Sequence, residues 1–423
     1  MLAILISASP LVAQSSWSGA IIATGYAAPA GEPAQWGLLD FNPRFSRGEA
    51  WRFTLNAHFT RWSRGPAGRH AFADPDERND FAPALQFEEL SLRRAWSGRW
   101  RTELKAGLLS LRWGRTDGFA PTDTLAPYDY TDLLDFRRPA VPALHGALRG
   151  GQAGFEFIWL PIFTPNRLPP GFIGAGGRFP LPAVNAAPGG DSLLRRDDLP
   201  ARDGRHGEFA ARWEWVGSAA EFSFSYKSGY DKNPLLTPVI QFIPPQPPAL
   251  LALQREFRRV RIYGADLLVP HGAWILRAEA ARWQFADSRG NQPDGRWLYT
   301  AELEHKAGDW QTIFAYGGVH EDATPAAVFS NSATPAGTNL AQGNLPALLV
   351  NVERGAVGEW GLKLNGLYAL NEKGWLARVS GSWPVTPRWR LDAGGDWLGG
   401  PRRSFYGALG GEDRLRLAAV CSF

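Results

Sequence analysis

From Trp17 onward, apolar and polar residues alternate along the chain in runs of about ten residues. A break of two to four residues follows one run, and a long polar segment follows the next. Alternation with a period of two predicts β-strands that carry one apolar and one polar face. We expect eighteen strands, at residues 17–27, 36–45, 51–62, 85–96, 100–112, 143–149, 152–160, 207–217, 219–228, 256–269, 272–285, 296–307, 309–320, 343–352, 357–370, 373–384, 388–398 and 411–423.

The two faces of each strand differ sharply in chemistry. Along the strand that begins at Arg388, Trp389 and Leu391 fall on one face, and Arg390 and Asp392 fall on the other. A soluble β-sandwich also alternates, but it does not usually place Trp on its solvent face. Strands of this length satisfy their backbone in lipid only as a closed barrel. The pattern predicts an all-β fold, a transmembrane antiparallel β-barrel of about 18 strands, with 16 as the alternative.

The breaks and the tryptophans predict how the barrel is oriented. With the amino terminus in the periplasm, every short break is a periplasmic turn and every long segment lies outside the cell. Tryptophans cluster at both strand ends, as amphipathic rings do at the two membrane interfaces. The predicted periplasmic belt contains Trp51, Trp96, Trp100, Trp213, Trp215, Trp274, Trp310, Trp383 and Trp389. The predicted external belt contains Trp36, Trp62, Trp113, Trp159, Trp283, Trp297, Trp375 and Trp397.

Both ends of the chain have characteristic patterns. Residues 1–13 are apolar and end in small residues, which predicts the later part of a signal peptide, with an apolar first strand as the alternative. Residues 14–423 then form a single barrel domain. The last strand alternates up to Phe423. This ending resembles the carboxyl-terminal signature of outer-membrane proteins, which implies that Phe423 is an assembly signal for the barrel-assembly machinery.

Composition excludes several classes of protein. Apolar residues make up 44% of the chain, yet no apolar run is long enough for a transmembrane helix. The single cysteine, Cys421, excludes a disulfide framework. The net charge is +4 without a basic block, which argues against nucleic-acid binding. Arg greatly outnumbers Lys, which fits either a GC-rich genome or a passage lined by guanidinium groups.

The most distinctive segment is Leu111–Pro139, in what we predict to be the third external loop. We expect this loop to fold inward near residues 113–142 and to narrow a pore. Opposed acids and bases there would produce a transverse field that filters solutes by charge. Alternatively, the Asp residues only cap turns. The candidate constriction residues are Arg112, Arg115, Asp117, Asp123, Asp129, Asp132, Asp135, Arg137 and Arg138.

The polar faces of the strands predict a charged lumen in which bases modestly exceed acids. A barrel of this size encloses more space than wall side chains fill, so we expect a passage unless loops close it. This balance favours a channel for polar or anionic solutes. The lumen-facing cations that we expect are Arg101, Lys105, Arg212, Arg259, Arg261, Arg277, Arg388, Arg390, Arg414 and Arg416.

Part of the chain resembles large porin-like families of Gram-negative bacteria. The shared pattern is Trp113-Gly114, then Pro121-Thr122-Asp123, then Arg137-Arg138-Pro139, followed by a strand that ends in Pro161. In plan, the chain resembles the alginate-export type, which has eighteen strands and an Arg-rich pore. The resemblance implies an outer-membrane channel for polar or anionic solutes or for an exported polymer. That family's polymer-binding motif has no clear counterpart here, so the substrate does not carry over.

Other functions remain as alternatives with weaker support. A non-conducting barrel could serve as a scaffold or docking partner of an envelope complex. An enzyme is not expected, because no nucleophile motif accompanies the His320-Glu321-Asp322 segment. We expect no cofactor and no metal, although a calcium site in Asp287–Asp294 or the third loop is conceivable. The expected partners are outer-membrane lipid, lipopolysaccharide and the solute; the sequence leaves the oligomeric state open.

Overall fold

The structure, a computed structural model, describes residues 15–27, 36–47, 51–62, 84–130, 134, 136–167, 185–186, 194–241, 249–286, 294–322, 347–355, 359–401, 404–409 and 413–422. Almost all regular structure in these residues is β-strand, and helix α1 (Phe405–Ala408) is a single turn. None of the helices in the described ranges is long and apolar enough to cross a membrane. Phe423, Asp132 and Asp135 lie outside the described residues.

Eighteen strands form one antiparallel sheet in which each strand pairs with its neighbours in the wall. The first strand, β1 (Ser15–Ala27), pairs with both β2 (Trp36–Arg47) and the last strand, β22 (Arg414–Ser422), so the sheet closes on itself. The predicted barrel of eighteen strands is thus confirmed. The wall strands are β1 (Ser15–Ala27), β2 (Trp36–Arg47), β3 (Trp51–Trp62), β4 (Ala84–Trp96), β5 (Arg101–Leu109), β6 (Val141–Gly150), β7 (Ala153–Leu160), β10 (Glu208–Val216), β11 (Glu221–Tyr230), β14 (Arg259–His271), β15 (Trp274–Phe285), β16 (Gly295–Ala307), β17 (Trp310–Glu321), β18 (Ala347–Arg354), β19 (Gly361–Ala369), β20 (Trp375–Pro384), β21 (Trp389–Gly399) and β22 (Arg414–Ser422).

A second, four-stranded sheet forms from two long external loops. Strands β12 (Leu235–Gln241) and β13 (Ala249–Glu256) form an antiparallel hairpin between β11 and β14. Strands β8 (Asn185–Ala186) and β9 (Leu194–Asp198), between β7 and β10, pair in parallel with β13. The sequence does not predict this sheet, because its strands are short and pair between loops that are distant in the chain.

The outer face of the wall is apolar, as predicted. On β22, Leu415 and Leu417 point outward and Leu417 is 68% exposed, whereas Arg414 and Arg416 point inward. Exposed tryptophans lie at both strand ends, at Trp51, Trp96, Trp100, Trp215, Trp274, Trp310, Trp383 and Trp389 and at Trp159, Trp297, Trp375 and Trp397. Trp113 and Trp283, which we expected in the external belt, are instead buried inside the barrel. The side chains of Trp36 and Trp62 are outside the described set.

At the external end of β14, the inner face is apolar and the outer face carries arginines, the reverse of the pattern in most of the wall. Val260 and Ile262 point inward and are buried in a cluster with Trp283 and Leu298, against which Phe119 of the third loop packs. The predicted inward positions of Arg259 and Arg261 are therefore wrong, because these residues alternate with Val260 and Ile262 and lie exposed on the outer face. The inner face is apolar here because a loop, rather than solvent, fills this part of the barrel.

The register places most of the other predicted lumen cations on the inner face. Arg388 differs, because it lies in the turn that precedes β21 and not on the strand. The inward-facing cations are Arg101, Lys105, Arg212, Arg277, Arg390, Arg414 and Arg416.

The alternation on β20 gives a direct test of the two faces. Val379 lies on the outer face halfway between the interfacial residues Trp375 and Trp383, and Ser380 lies on the inner face beside Lys363. We expect Val379→Arg to lower the free energy of unfolding in lipid by about 2–4 kcal/mol, because it places a cation near the bilayer midplane. Ser380→Arg is the matched control and should cost much less in urea unfolding of the folded barrel. Equal costs would show that the faces are wrongly assigned.

Candidate functional site

The third external loop leaves β5 after Leu109, enters the barrel and returns to β6 at Val141. Near its start, Trp113 donates from Nε1 to Glu156 of β7 at 3.0 Å. Its tip reaches β18, where Gly118 lies so close to Leu349 that a side chain at 118 would overlap it. Strand β18 stands opposite β5 in the ring of eighteen strands. The loop therefore reaches across the lumen from β5 to β18.

Two carboxylates of the opposite wall hold the tip of this loop. Glu279 of β15 accepts hydrogen bonds from the backbone N–H and hydroxyl of Thr116, both at 2.8 Å, and from the hydroxyl of Thr122 at 2.7 Å. Glu302 of β16 accepts from the backbone N–H of Asp117 at 2.9 Å. Both carboxylates are buried. Several hydrogen bonds to a buried carboxylate compensate the free-energy cost of its burial. These two carboxylates are therefore the hydrogen-bond acceptors that hold the tip of the loop.

Arg115 is also bound to the wall. Its Nε donates to Asp266 of β14 at 2.5 Å, and its guanidinium also pairs with Glu221 of β11. Burial alone would lower the pKa of Arg115, but the bonds to Asp266 and Glu221 outweigh burial and raise it above the ordinary value. In contrast, the Arg112 side chain is 77% exposed, with Nε 3.8 Å from Asp123. Of the two arginines at the start of the loop, only Arg112 presents its charge openly.

Asp123 joins the outgoing and returning limbs of the loop. It is buried and accepts hydrogen bonds from the Trp113 backbone N–H at 3.1 Å and from Arg138 Nη2 at 2.8 Å. Burial raises the pKa of Asp123, and Arg138 opposes this shift. The Arg138 guanidinium also lies over the Tyr128 ring at 4.8 Å. Asp123 thus stabilises the loop, which is closer to the turn-capping alternative than to a charge that faces a passage.

Asp129 ties the loop to the wall and to the next external loop. Its Oδ2 accepts from Gln86 of β4 at 3.0 Å and from Arg167 at 2.7 Å. Its backbone pairs with that of Arg137 in a short antiparallel bridge. Among the described Asp residues of the loop, Asp117 has the most exposed side chain, at 57%. Its Oδ2 lies 3.6 Å from Arg277.

The loop leaves an open space on one side of the barrel. This space encloses about 670 Å³ between the returning limb at Arg137–Pro139 and the wall strands β21, β22, β1, β3 and β4. Its lining residues are Ile22, Thr24, Asn56, Gln86, Phe87, Glu88, Glu89, Ser110, Arg137, Arg138, Pro139, Arg390, Asp392, Arg416, Ala418 and Val420. The sequence pattern places Arg390 and Arg416 on the inner face, but it does not single out Asn56, Gln86 or Glu88.

Some of the charged side chains around this space form ion pairs, and others do not. Glu89 pairs with Lys105 at 2.7 Å, and Asp392 accepts both Nε and Nη2 of Arg390. Arg416 has no ion-pair partner among the described residues. Two of the three acids of the lining, Glu89 and Asp392, are thus paired with local cations, whereas Glu88 has no ion-pair partner within the described ranges. The lining carries four arginines against these three acids.

A buried ionic network lies at the external end of the barrel, beside the loop. Lys227 Nζ is 3.0 Å from Glu208 and donates to the Thr124 carbonyl at 2.7 Å. Lys232 also pairs with Glu208. Burial lowers the pKa of Lys232 to about 8, and Glu208 opposes this shift. These contacts attach the third loop to β10 and β11. Within the described ranges, no group of three or more His, Cys, Asp or Glu side chains is arranged to hold a metal ion.

No protein-family model and no curated protein sequence matches this chain. Among solved structures, that of OpdK from Pseudomonas aeruginosa with vanillate is 12% identical, covers 97% of this chain and 98% of its own, and has a TM-score of 0.53. OpdF (OccK2) of the same species is 10% identical, with 97% of each chain covered and a TM-score of 0.50. A BenF-like porin from Pseudomonas fluorescens is 10% identical, covers 97% and 98%, and also has a TM-score of 0.50.

These likenesses define the class of protein. The chain has the fold of the porin β-barrels of Gram-negative outer membranes, and the predicted outer-membrane location agrees with that fold. The porin-like part of the predicted resemblance is confirmed, whereas these structures do not support its alginate-export part.

The carboxylate contacts predict what holds the loop in place. We expect Glu279→Ala to release the tip of the loop, because Thr116 and Thr122 lose their acceptor. Single-channel recordings in planar bilayers should then show a larger and noisier current. Glu214→Ala is the matched control, since Glu214 also faces inward but bonds to Arg149 of the wall. Equal effects of the two variants, or none from Glu279→Ala, would contradict the anchoring role.

Proposed function

We propose that this protein is an outer-membrane channel that passes small organic anions and binds them through their carboxylate group. The observation that carries this proposal is the space of about 670 Å³ beside the third loop, with four arginines in its lining. A loop that filled the lumen completely would leave no such space, and a neutral or acidic lining would favour other solutes.

The chemistry of the lining supports an anionic solute. A guanidinium remains charged at any physiological pH and binds a carboxylate through two parallel hydrogen bonds. Arg416 is without an acidic partner in the described part of the chain. Arg137 stands on the loop side of the same space, beside Arg138, whose guanidinium is paired with Asp123. A solute carboxylate between them therefore meets cations on two sides. Charges act more strongly in a narrow, partly desolvated opening than on an open surface.

The dimensions of the space favour a small molecule. Binding sites for compounds of drug size enclose about 300–1,000 Å³, and the space beside the loop falls within this range. An exported polymer is the less favoured solute, because the third loop crosses the lumen from β5 to β18. The structure of OpdK with vanillate, an aromatic carboxylate, adds support from a barrel of similar fold.

The competing proposal is a barrel that conducts nothing and serves as a scaffold. The anchored loop favours this reading in part, because it divides the lumen. Channel recordings separate the two proposals directly: folded protein that produces no channel events in a bilayer would favour the scaffold.

Selectivity tests the role of Arg416. We expect Arg416→Glu to shift the reversal potential in a salt gradient toward cations. At about 8 Å and an effective dielectric constant of about 40, one unit charge contributes about 1 kcal/mol, so the change of two charge units corresponds to about thirtyfold in relative permeability. Arg101→Glu is the matched control, because Arg101 also faces inward but lies at the periplasmic end of β5, outside the lining. Equal shifts from both variants would show that Arg416 does not stand at the selective point.

Solute recognition is tested with one anion and its neutral analogue. We expect vanillate to reduce the single-channel current in a concentration-dependent manner, since its carboxylate binds in the arginine-lined space. Vanillyl alcohol, which has a hydroxymethyl group in place of the carboxylate and is neutral at pH 7, should have little effect, and Arg416→Glu should weaken the vanillate effect. The same block by both compounds would reject carboxylate recognition while leaving the channel itself intact.

A further inference from the structure

Three arginines at the external end of the barrel face the membrane and not the lumen. Arg259 and Arg261 of β14 are exposed on the outer face, and Arg282 of β15 shares that face. The register fixes this assignment, because Arg282 pairs directly with Tyr263 and with Trp297, both of which are exposed.

The aromatic belt gives the height of these cations in the membrane. Trp297 belongs to the external row of exposed tryptophans, so Arg282 lies at the interface. Strand β14 descends from its external end at Arg259, and each pair of residues advances about 7 Å. Arg261 therefore lies about 7 Å outward from the row of Tyr263 and Arg282, and Arg259 about 14 Å outward. This is the level of lipid headgroups.

Neutral donors flank the central arginine. Ser228 of β11 and Gln284 of β15 pair directly with Arg261 on the two neighbouring strands. Directly paired side chains have Cβ atoms about 4.5–5.5 Å apart, so one oxyanion can reach more than one of them. Arg261 has no acidic partner within the described residues, and Arg259 donates to the Tyr230 hydroxyl at 3.2 Å.

Arg282 is the fixed member of this group. Asp322 accepts from its Nη1 at 2.8 Å and its Nη2 at 2.5 Å, and its guanidinium lies over Trp297. Asp322 thus neutralises one of the three charges and leaves the other two uncompensated by described acids. At the periplasmic end, in contrast, the outward Arg94 is covered by Trp51 at 4.8 Å and by Trp96 at 5.6 Å.

We propose that Arg259 and Arg261, with Ser228 and Gln284, bind a phosphate group of lipopolysaccharide in the outer leaflet. The lipid that surrounds the external end of such a barrel carries phosphates on its glucosamine headgroup, at the height where these donors stand. Guanidinium groups bind phosphate through paired, charge-assisted hydrogen bonds. The inference rests on the outer-membrane location and does not depend on what the barrel transports.

The test compares lipid A with its dephosphorylated form. Detergent-purified protein is titrated with diphosphoryl lipid A and with enzymatically dephosphorylated lipid A, and bound lipid is counted by native mass spectrometry. We expect a preference for the phosphorylated form, and about a tenfold loss of its affinity in the Arg259→Gln, Arg261→Gln double variant. Arg94→Gln is the matched control, an outward arginine at the opposite end, and should bind lipid A as the unmodified protein does.

The outcomes separate the lipid site from its alternatives. An unchanged affinity in the double variant, or an equal affinity for both forms of lipid A, would overturn the proposal. Displacement of lipid A by millimolar inorganic phosphate would also overturn it, because the site would then recognise the free anion. The single-channel conductance of the double variant should equal that of the unmodified protein. A changed conductance would place these arginines in the lumen and reject the outward assignment.

Discussion

The closure of the sheet by β1 and β22 is the constraint on which the rest of the structure depends. A bilayer offers no partner for backbone N–H and C=O groups, so an open edge is excluded and every strand needs two neighbours. Eighteen strands complete this ring. A ring of that size encloses more volume than the inward side chains fill. The chain therefore needs a further element to determine what crosses the interior.

The third loop supplies that element, and it changes the chemistry of the wall that it contacts. Where it packs, the inner face is apolar, as at Val260 and Ile262, or carries acids such as Glu279 that accept its backbone donors. A second apolar cluster, with Tyr130 of the loop, forms against α1. Along the open space, the inner face carries the charged residues Arg390, Asp392 and Arg416 beside apolar residues such as Ile22 and Val420.

The arginines of the chain consequently have three different environments. Arg115 and Arg138 are bound to buried acids and hold the loop in position. Arg416 lines the open space, where we propose that it binds an anionic solute. Arg259 and Arg261 lie outside, at the level of lipid headgroups. One residue type thus occupies three environments, and the environment of each guanidinium decides which role we propose for it.

The sequence by itself determined the barrel, its eighteen wall strands and most inward positions, because a period of two and repeated turn signals are local properties of the chain. The inward placement of Arg390 and Arg416 followed from the same alternation. Only the tertiary structure decided that Arg259 faces lipid and that Asp123 is buried, because both depend on where a distant loop packs. Alternation marks two faces, but which face is apolar depends on whether loop, lipid or solvent lies against it. The sheet of β8, β9, β12 and β13 could not be predicted from the sequence either, because it joins segments from loops that are distant in the chain.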